Sequence, residues 1–148
     1  MSRIPAPPPG ATQVELRVPF HHVDYLRVVW HGRYLEYLEA AQAAFLRSHR
    51  LDLSDMEDLG YAFVVAETRV RHVSPLRYGD TVRVSCWLEG DESRIDMAYE
   101  LANVETGKRC ASARTSLVTL TVQGELCVAT PGPILERLRA HPGDGGGR

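Results

Sequence analysis

The chain has 148 residues, 44% of them hydrophobic and 24% charged, with a net charge of -2 at pH 7. That length suits one domain whose core needs neither a metal nor a disulfide. The small net charge gives no field for nucleic acid or an anionic membrane surface, and no apolar run approaches the roughly 20 residues that span a bilayer. Cys86, Cys110 and Cys127 are odd in number, far apart and free of any C-x-x-C spacing. They read as buried thiols in a reducing compartment, with no neighbouring base to make one a nucleophile. The first ten residues lack the apolar core of a secretory signal, so the expected location is the cytoplasm.

Residues 1–11 are proline-rich and are expected to form a disordered lead-in; residues 141–148 are glycine-rich and are expected to form a flexible tail. One domain over 12–140 remains. Residues 12–20 alternate Val14, Leu16 and Val18 with Gln13, Glu15 and Arg17, the period of a strand with one buried face. His21 and His22 fall in an aperiodic crossing. Neighbours on extended chain point opposite ways, and no third ligand is suitably spaced, so the pair reads as loop histidines and no metal site is expected.

Residues 32–48 read as the one long helix. Arg33, Glu36, Glu39, Gln42 and Arg47 make a narrow polar stripe, while Tyr34, Leu35, Tyr37, Leu38, Ala41 and Phe45 help cover the rest. Such a helix is expected to be buried on several sides. Residues 51–59 read as a polar connector. Strands are expected over 61–73, 81–88, 94–104 and 108–122, with turns at Ser74-Pro75, near Gly90 and at Thr106-Gly107. A short apolar segment follows at 126–129. The chain then closes with a helix over 131–140, with Thr130 as its N-cap and Pro131 in its first turn.

Strand, helix, then strands joined by hairpins describe an α+β domain with a mostly antiparallel sheet of five to six strands around one central helix. Open sheet edges invite pairing with a second copy. A homodimer or homotetramer is therefore expected.

Asp24, then Val28-Val29-Trp30-His31-Gly32-Arg33-Tyr34, then a helix bearing Glu36, Glu39 and Ala40-Ala41 resembles the opening of hotdog-fold thioesterases. The nearest type is the 4-hydroxybenzoyl-CoA and short-chain acyl-CoA group. Ser74-Pro75-Leu76-Arg77-Tyr78-Gly79-Asp80 is similar to that family's turn into the next central strand. The resemblance implies a hotdog fold and hydrolysis of acyl-CoA or acyl-carrier-protein thioesters. No cofactor is implied beyond the CoA or phosphopantetheine that the substrate carries, and neither nucleic acid nor membrane is an expected partner. It makes Asp24 the catalytic carboxylate, as nucleophile or as general base on water, and leaves those two roles open. One departure stands out. The family favours a small residue, often glycine, just before the Val-Val pair, and here Leu26-Arg27 occupies that stretch. Arg27 has three readings: lowering the aspartate's pKa, neutralising a substrate charge, or facing solvent.

The thioester carbonyl needs donors where its negative charge develops. The first N–H groups of a helix have no intrahelical partner and lie at its positive end. The amides of His31, Gly32 and Arg33 are therefore the expected oxyanion donors, with the His31 imidazole as a further orienting group. Glu39 reads first as part of a solvated or dimer-facing stripe, and is the reserve carboxylate because another branch of the family takes its carboxylate from this helix. Arg69 and Arg71, two apart on one strand face, and Arg94 near a strand end are the expected contacts for the phosphates of the carrier. A non-catalytic acyl-binding module is the alternative. A hydratase ranks below it, since the histidine-bearing Pro-Gly loop of such enzymes is missing.

Overall fold

A computed structural model describes residues 3–140. Five strands, β1 (Thr12–Arg17), β2 (Tyr61–His72), β3 (Thr81–Gly90), β4 (Ile95–Asn103) and β5 (Arg109–Thr121), form one sheet in the order β1-β3-β4-β5-β2. Every pairing is antiparallel. The helices are α1 (Tyr34–Ser48), α2 (Leu53–Leu59) and α3 (Gly132–Arg139), with single 3-10 turns at Phe20–His22 and His31–Arg33. The expected α+β architecture, one long helix against an antiparallel sheet, is what the chain adopts.

Alternation in the strands sets the core. Val82, Val84 and Cys86 of β3 meet Tyr99 and Leu101 of β4 and Ala111, Ala113 and Leu117 of β5, all buried against α1. From α1 come Tyr34, Tyr37, Leu38, Ala41 and Phe45. Full burial of each large side chain contributes about 1.5–3 kcal/mol, and the fully enclosed Ala41 lets helix and sheet come close. The one polar thread through this core is satisfied. The Tyr99 hydroxyl accepts from Gln42 Nε2 at 3.2 Å and shares a 2.8 Å hydrogen bond with Thr115 Oγ1.

Several expectations change. Helix α1 begins at Tyr34, two residues later than expected, because His31–Arg33 closes first as a 3-10 turn. Only part of its circumference is covered: Leu35 is 53% exposed. The supposed connector 51–59 contains α2, capped by Asp52, whose N–H donates to Asp55 Oδ2 and whose carboxylate accepts the Leu53 N–H. Gly60, at φ +87°, ends it in the left-handed conformation common after helices.

The lead-in is held in place where it is described. Ile4 is buried on Trp87 and Ala98 across the outer face of the sheet, and the Arg109 guanidinium donates to the carbonyls of Ile4 and Pro5. The expected tail, 141–148, lies outside the described residues. Residues 126–129 make no sixth strand; Leu126 forms a single bridge to Leu120. Thr130 caps nothing. The N-cap of α3 is Pro131, without a side-chain bond, and the Thr130 N–H donates to the Glu92 carbonyl.

Candidate active site

Between β1 and α1 the chain doubles back as a two-stranded ribbon. Val23 bridges Val29, the Asp24 N–H donates to the Val28 carbonyl at 2.9 Å, and the Trp30 N–H donates to the His22 carbonyl at 3.0 Å. The ribbon is fastened to the body of the domain by the Val29 N–H on the Leu76 carbonyl and by a bridge between Val28 and Arg77. Its tip is the turn 24–27, closed by the Arg27 N–H on the Asp24 carbonyl at 2.9 Å. The Asp24 carboxylate accepts the Leu26 N–H at 2.8 Å, an Asx-type bond that fixes the side chain.

Arg27 stands at φ +67°. A tight turn followed by one left-handed residue is a common three-residue hairpin connection, and glycine is favoured at that last place. This accounts for the family's small residue and shows what the arginine does to the backbone. It occupies a conformation that disfavours any side chain, at about 1–2 kcal/mol. Among the described residues Arg27 makes no ion pair, with Asp24 or with any other carboxylate, and it is exposed.

The helix entrance follows directly. The Arg33 N–H donates to the Trp30 carbonyl at 2.9 Å and the Tyr34 N–H to the His31 carbonyl. Of the three amides expected as oxyanion donors, that of Arg33 is therefore engaged by the turn. Among the described residues, the N–H groups of His31 and Gly32 have no partner. A Cβ at Gly32 would overlap the half-exposed Trp30 indole, which packs over the glycine and would have to move aside. By the ladder, Asp24 lies two residues from the His22–Trp30 pair, about 7 Å of extended chain.

His22, expected to be a loop histidine, is instead packed onto the helix. Its side chain is only 13% exposed, with Nε2 at 3.5 Å from Glu36 Oε2, and Nδ1 is hydrogen-bonded to the Tyr37 hydroxyl at 2.7 Å. Glu36 in turn takes the Arg33 guanidinium at 3.0 Å. Burial, then the charges of Arg33 and His21, lower the His22 pKa below its ordinary 6.5 against the pull of Glu36. Burial likewise pushes the Tyr37 phenol up to about 12. A neutral histidine thus ties the Asp24 ribbon to α1. The signal that could have found it is the pair of polar partners on α1, but only with the fold in hand.

Two depressions flank the entrance. One, of about 250 Å³, is lined by Val29, His31, Tyr34, His72, Ser74 and Pro75. The other, of about 200 Å³, runs between α1 and β2 and is lined by Leu35, Glu39, Gln42, Val65, Thr68 and Thr115. Leu35, Glu39 and Gln42 continue down α1 from Gly32 at helical spacing, and Glu39 lines this groove.

The three arginines proposed for phosphates are not gathered in one protomer. Arg69 is bonded to Glu67 at 2.7 Å. Arg71 is exposed two residues further along β2, and Arg94 precedes β4. Through the register Arg69–Arg114–Ala98, Arg94 is offset by four residues, about 14 Å of strand. Cys86 is buried, its thiol pushed up to about 12 by that burial, which makes it unreactive at neutral pH. Among the described residues no three His, Cys, Asp or Glu side chains are grouped to hold a metal.

Residues 18–138 match the thioesterase-like superfamily. The chain belongs to that family. A Synechocystis protein that carries an esterase name is 31% identical over 128 residues, covering 85% of this chain and 77% of its own. The 1,4-dihydroxy-2-naphthoyl-CoA hydrolase of Thermosynechococcus vestitus is 29% identical over 127 residues, 84% of this chain and 86% of its own. Among solved structures, a DHNA-CoA thioesterase from Staphylococcus aureus superposes with a TM-score of 0.72 at 23% identity, covering 79% of each chain, a likeness of fold. Within this thioesterase-like family the five-stranded sheet and long helix are the hotdog fold, as the resemblance implied. The general activity that goes with it is hydrolysis of acyl thioesters.

Proposed function

We propose that the protein hydrolyses acyl-CoA thioesters, with the Asp24 carboxylate as its reacting group. The observation that supports this most is the pairing of a fixed carboxylate with two unpartnered amides at the mouth of a helix. Leu26 holds one carboxylate oxygen, and the His31 and Gly32 N–H groups follow directly on the His22–Trp30 pair, which lies two ladder steps along the ribbon from Asp24. As general base, Asp24 takes a proton from water while the water oxygen bonds to the thioester carbon. The carbonyl oxygen, now negative, accepts hydrogen bonds from His31 and Gly32; collapse breaks the C–S bond and the thiolate takes up a proton. As nucleophile, the same carboxylate attacks the carbon first and water then cleaves the resulting anhydride. The same two amides serve both routes.

Glu39 then acts as part of the acyl groove beside α1, with Leu35 and Gln42, and not as the primary carboxylate. A CoA-borne acyl group is favoured over a carrier protein by the named activity of the T. vestitus relative. The active unit is a homodimer. The long edge strand β2 carries Val65, 50% exposed, beside the exposed Leu35 of α1 in the groove that both line, and edge pairing with a second copy covers them. The buried, unpaired Cys86 and Cys110 suit a reducing cytoplasm.

Thiol release from aryl- and short-chain acyl-CoAs, and from the same acyl groups on a carrier protein, tests this reading. Turnover of CoA thioesters is expected. Silence on every thioester, with the acyl compounds still bound, would leave an acyl-binding module in its place. Hydration of an enoyl thioester without thiol release would assign a hydratase.

A further inference from the structure

We propose that Arg27, with Arg77 beside it, seats a phosphate of the thiol carrier, so that the left-handed turn residue is a substrate-binding residue. The inference rests on Asp24 marking the thioester end of the bound substrate. It starts from backbone conformation. Among the described residues only Arg27 and Arg50 are non-glycine residues at positive φ, +67° and +56°. Arg50 has an ordinary reason: it terminates α1, where left-handed residues are common, and its carbonyl accepts from Arg137 at 2.6 Å. The turn at Arg27 needs only a backbone, and glycine would close it without strain. Strain retained at a surface turn points to the side chain that it presents.

Arg27 is one residue from Val28, which bridges Arg77 on the neighbouring segment, so the two arginines spring from adjacent stretches of backbone. Both residues are exposed, and neither is in an ion pair among the described residues. Arg33, Arg47, Arg69, Arg83, Arg109 and Arg139 have a carboxylate partner, while Arg71 and Arg94, exposed and without an ion pair among the described residues, stand on β2 and just before β4, away from the turn at Asp24. The nearest acid in sequence, Asp80, turns one carboxylate oxygen onto the Arg77 backbone N–H at 2.8 Å. A guanidinium fork matches phosphate oxygens in geometry as well as charge.

The surface between is suited to the rest of the carrier. Tyr25, Leu26 and Trp30 are 92%, 63% and 51% exposed around the turn, an apolar floor for a pantetheine arm. The turn itself keeps Arg27 within about 7 Å of Asp24, Cα to Cα. An arginine reaching outward from there meets the phosphate end of an arm whose thioester end is at Asp24. The contact for phosphate thus moves from the sheet arginines to the loop.

The test uses one acyl group on three thiols: CoA, phosphopantetheine and N-acetylcysteamine, the last without phosphate. For Arg27→Gly, the ratio of kcat/KM on CoA to kcat/KM on N-acetylcysteamine is expected to fall about tenfold, through KM, as a charged hydrogen bond is lost. The variant's Tm is expected to rise by about 2–4 °C as the turn relaxes. Arg77→Gln should lower the same ratio without raising Tm. A fall on CoA and phosphopantetheine together assigns the seat to the phosphate next to the arm; a fall on CoA alone assigns it to the nucleotide's phosphates, and either supports the proposal. An unchanged ratio in Arg27→Gly overturns it, as does an equal loss on all three thiols, which would make Arg27 a shaper of the turn only. Calorimetric titration of CoA into wild type and Arg27→Gly separates this from the catalytic reading. If no thioester is hydrolysed but the variant binds CoA about tenfold more weakly, the seat stands without the reaction.

Discussion

The Asp24 carboxylate has a structural use besides the chemistry proposed for it. One oxygen holds the Leu26 N–H, so an asparagine, which keeps a carbonyl oxygen at that place, should preserve the turn. Asp24→Ala removes the acceptor and is expected to lower stability by about 1 kcal/mol, measurable by urea titration, while Asp24→Asn should leave it within error. His22 carries a pH dependence whose sign is fixed by its surroundings. Its folded pKa lies below 6.5, so in that range the unfolded chain binds more protons than the folded one. The stabilisation is complete above about pH 6.5 and is lost as the pH falls through and below the folded-state value. The charged or titratable groups around the imidazole are His21, Arg33, Glu36 and Tyr37. Thermal unfolding between pH 5 and 8 should show a steeper acid loss in wild type than in His22→Gln; parallel curves would remove the residue from this role. At this scale the sequence was partly legible. Asp24 could be picked out by its setting, and Arg27 was visible as a departure, but the left-handed backbone that explains it follows from hydrogen bonds between residues 23–29 and no local pattern announces it.

The element that decides the site is the 3-10 turn at His31–Arg33, because it engages one amide and leaves two. Gly32→Ala is expected to push the Trp30 indole aside and tilt these amides. A fall in kcat of about tenfold or more, with circular dichroism unchanged, is the predicted result; unaltered kcat would take Gly32 out of the oxyanion site. Deeper in the domain, Thr115→Val deprives the fully buried Tyr99 hydroxyl of its 2.8 Å partner, at an expected 1–3 kcal/mol, or about 3–10 °C in Tm. The strands were readable because each is long enough for alternation to show. Helix α2, with seven residues, spans too few turns for a helical period to emerge, and its capping by Asp52 and Asp55 was the clue passed over. Proline content suggested a loose lead-in; Ile4 packed on Trp87 and Ala98, with the Arg109 guanidinium on the Ile4 and Pro5 carbonyls, holds it down.

On the scale of the whole molecule, one protomer leaves a pattern unfinished. Edge strand β2 is long and carries exposed valines, the neighbouring face of α1 shows Leu35, and the groove holding Glu39 and Gln42 opens between them. The apolar breadth of α1 in the sequence foretold more burial than a single chain provides, and the homodimer proposed above would supply the rest. Sedimentation velocity is expected to give a dimer, dissociated by Val65→Lys through like charges facing across the paired edges; a monomeric wild type would contradict the assembly. The central claim, that a carboxylate at residue 24 drives thioester cleavage, is tested most directly by kcat for thiol release in Asp24→Asn beside wild type. Removing the charge and keeping the turn should lower kcat by 10²–10⁴, roughly the range of general acid-base catalysis, with Tm unchanged. A variant that turns over at the wild-type rate would place the chemistry elsewhere.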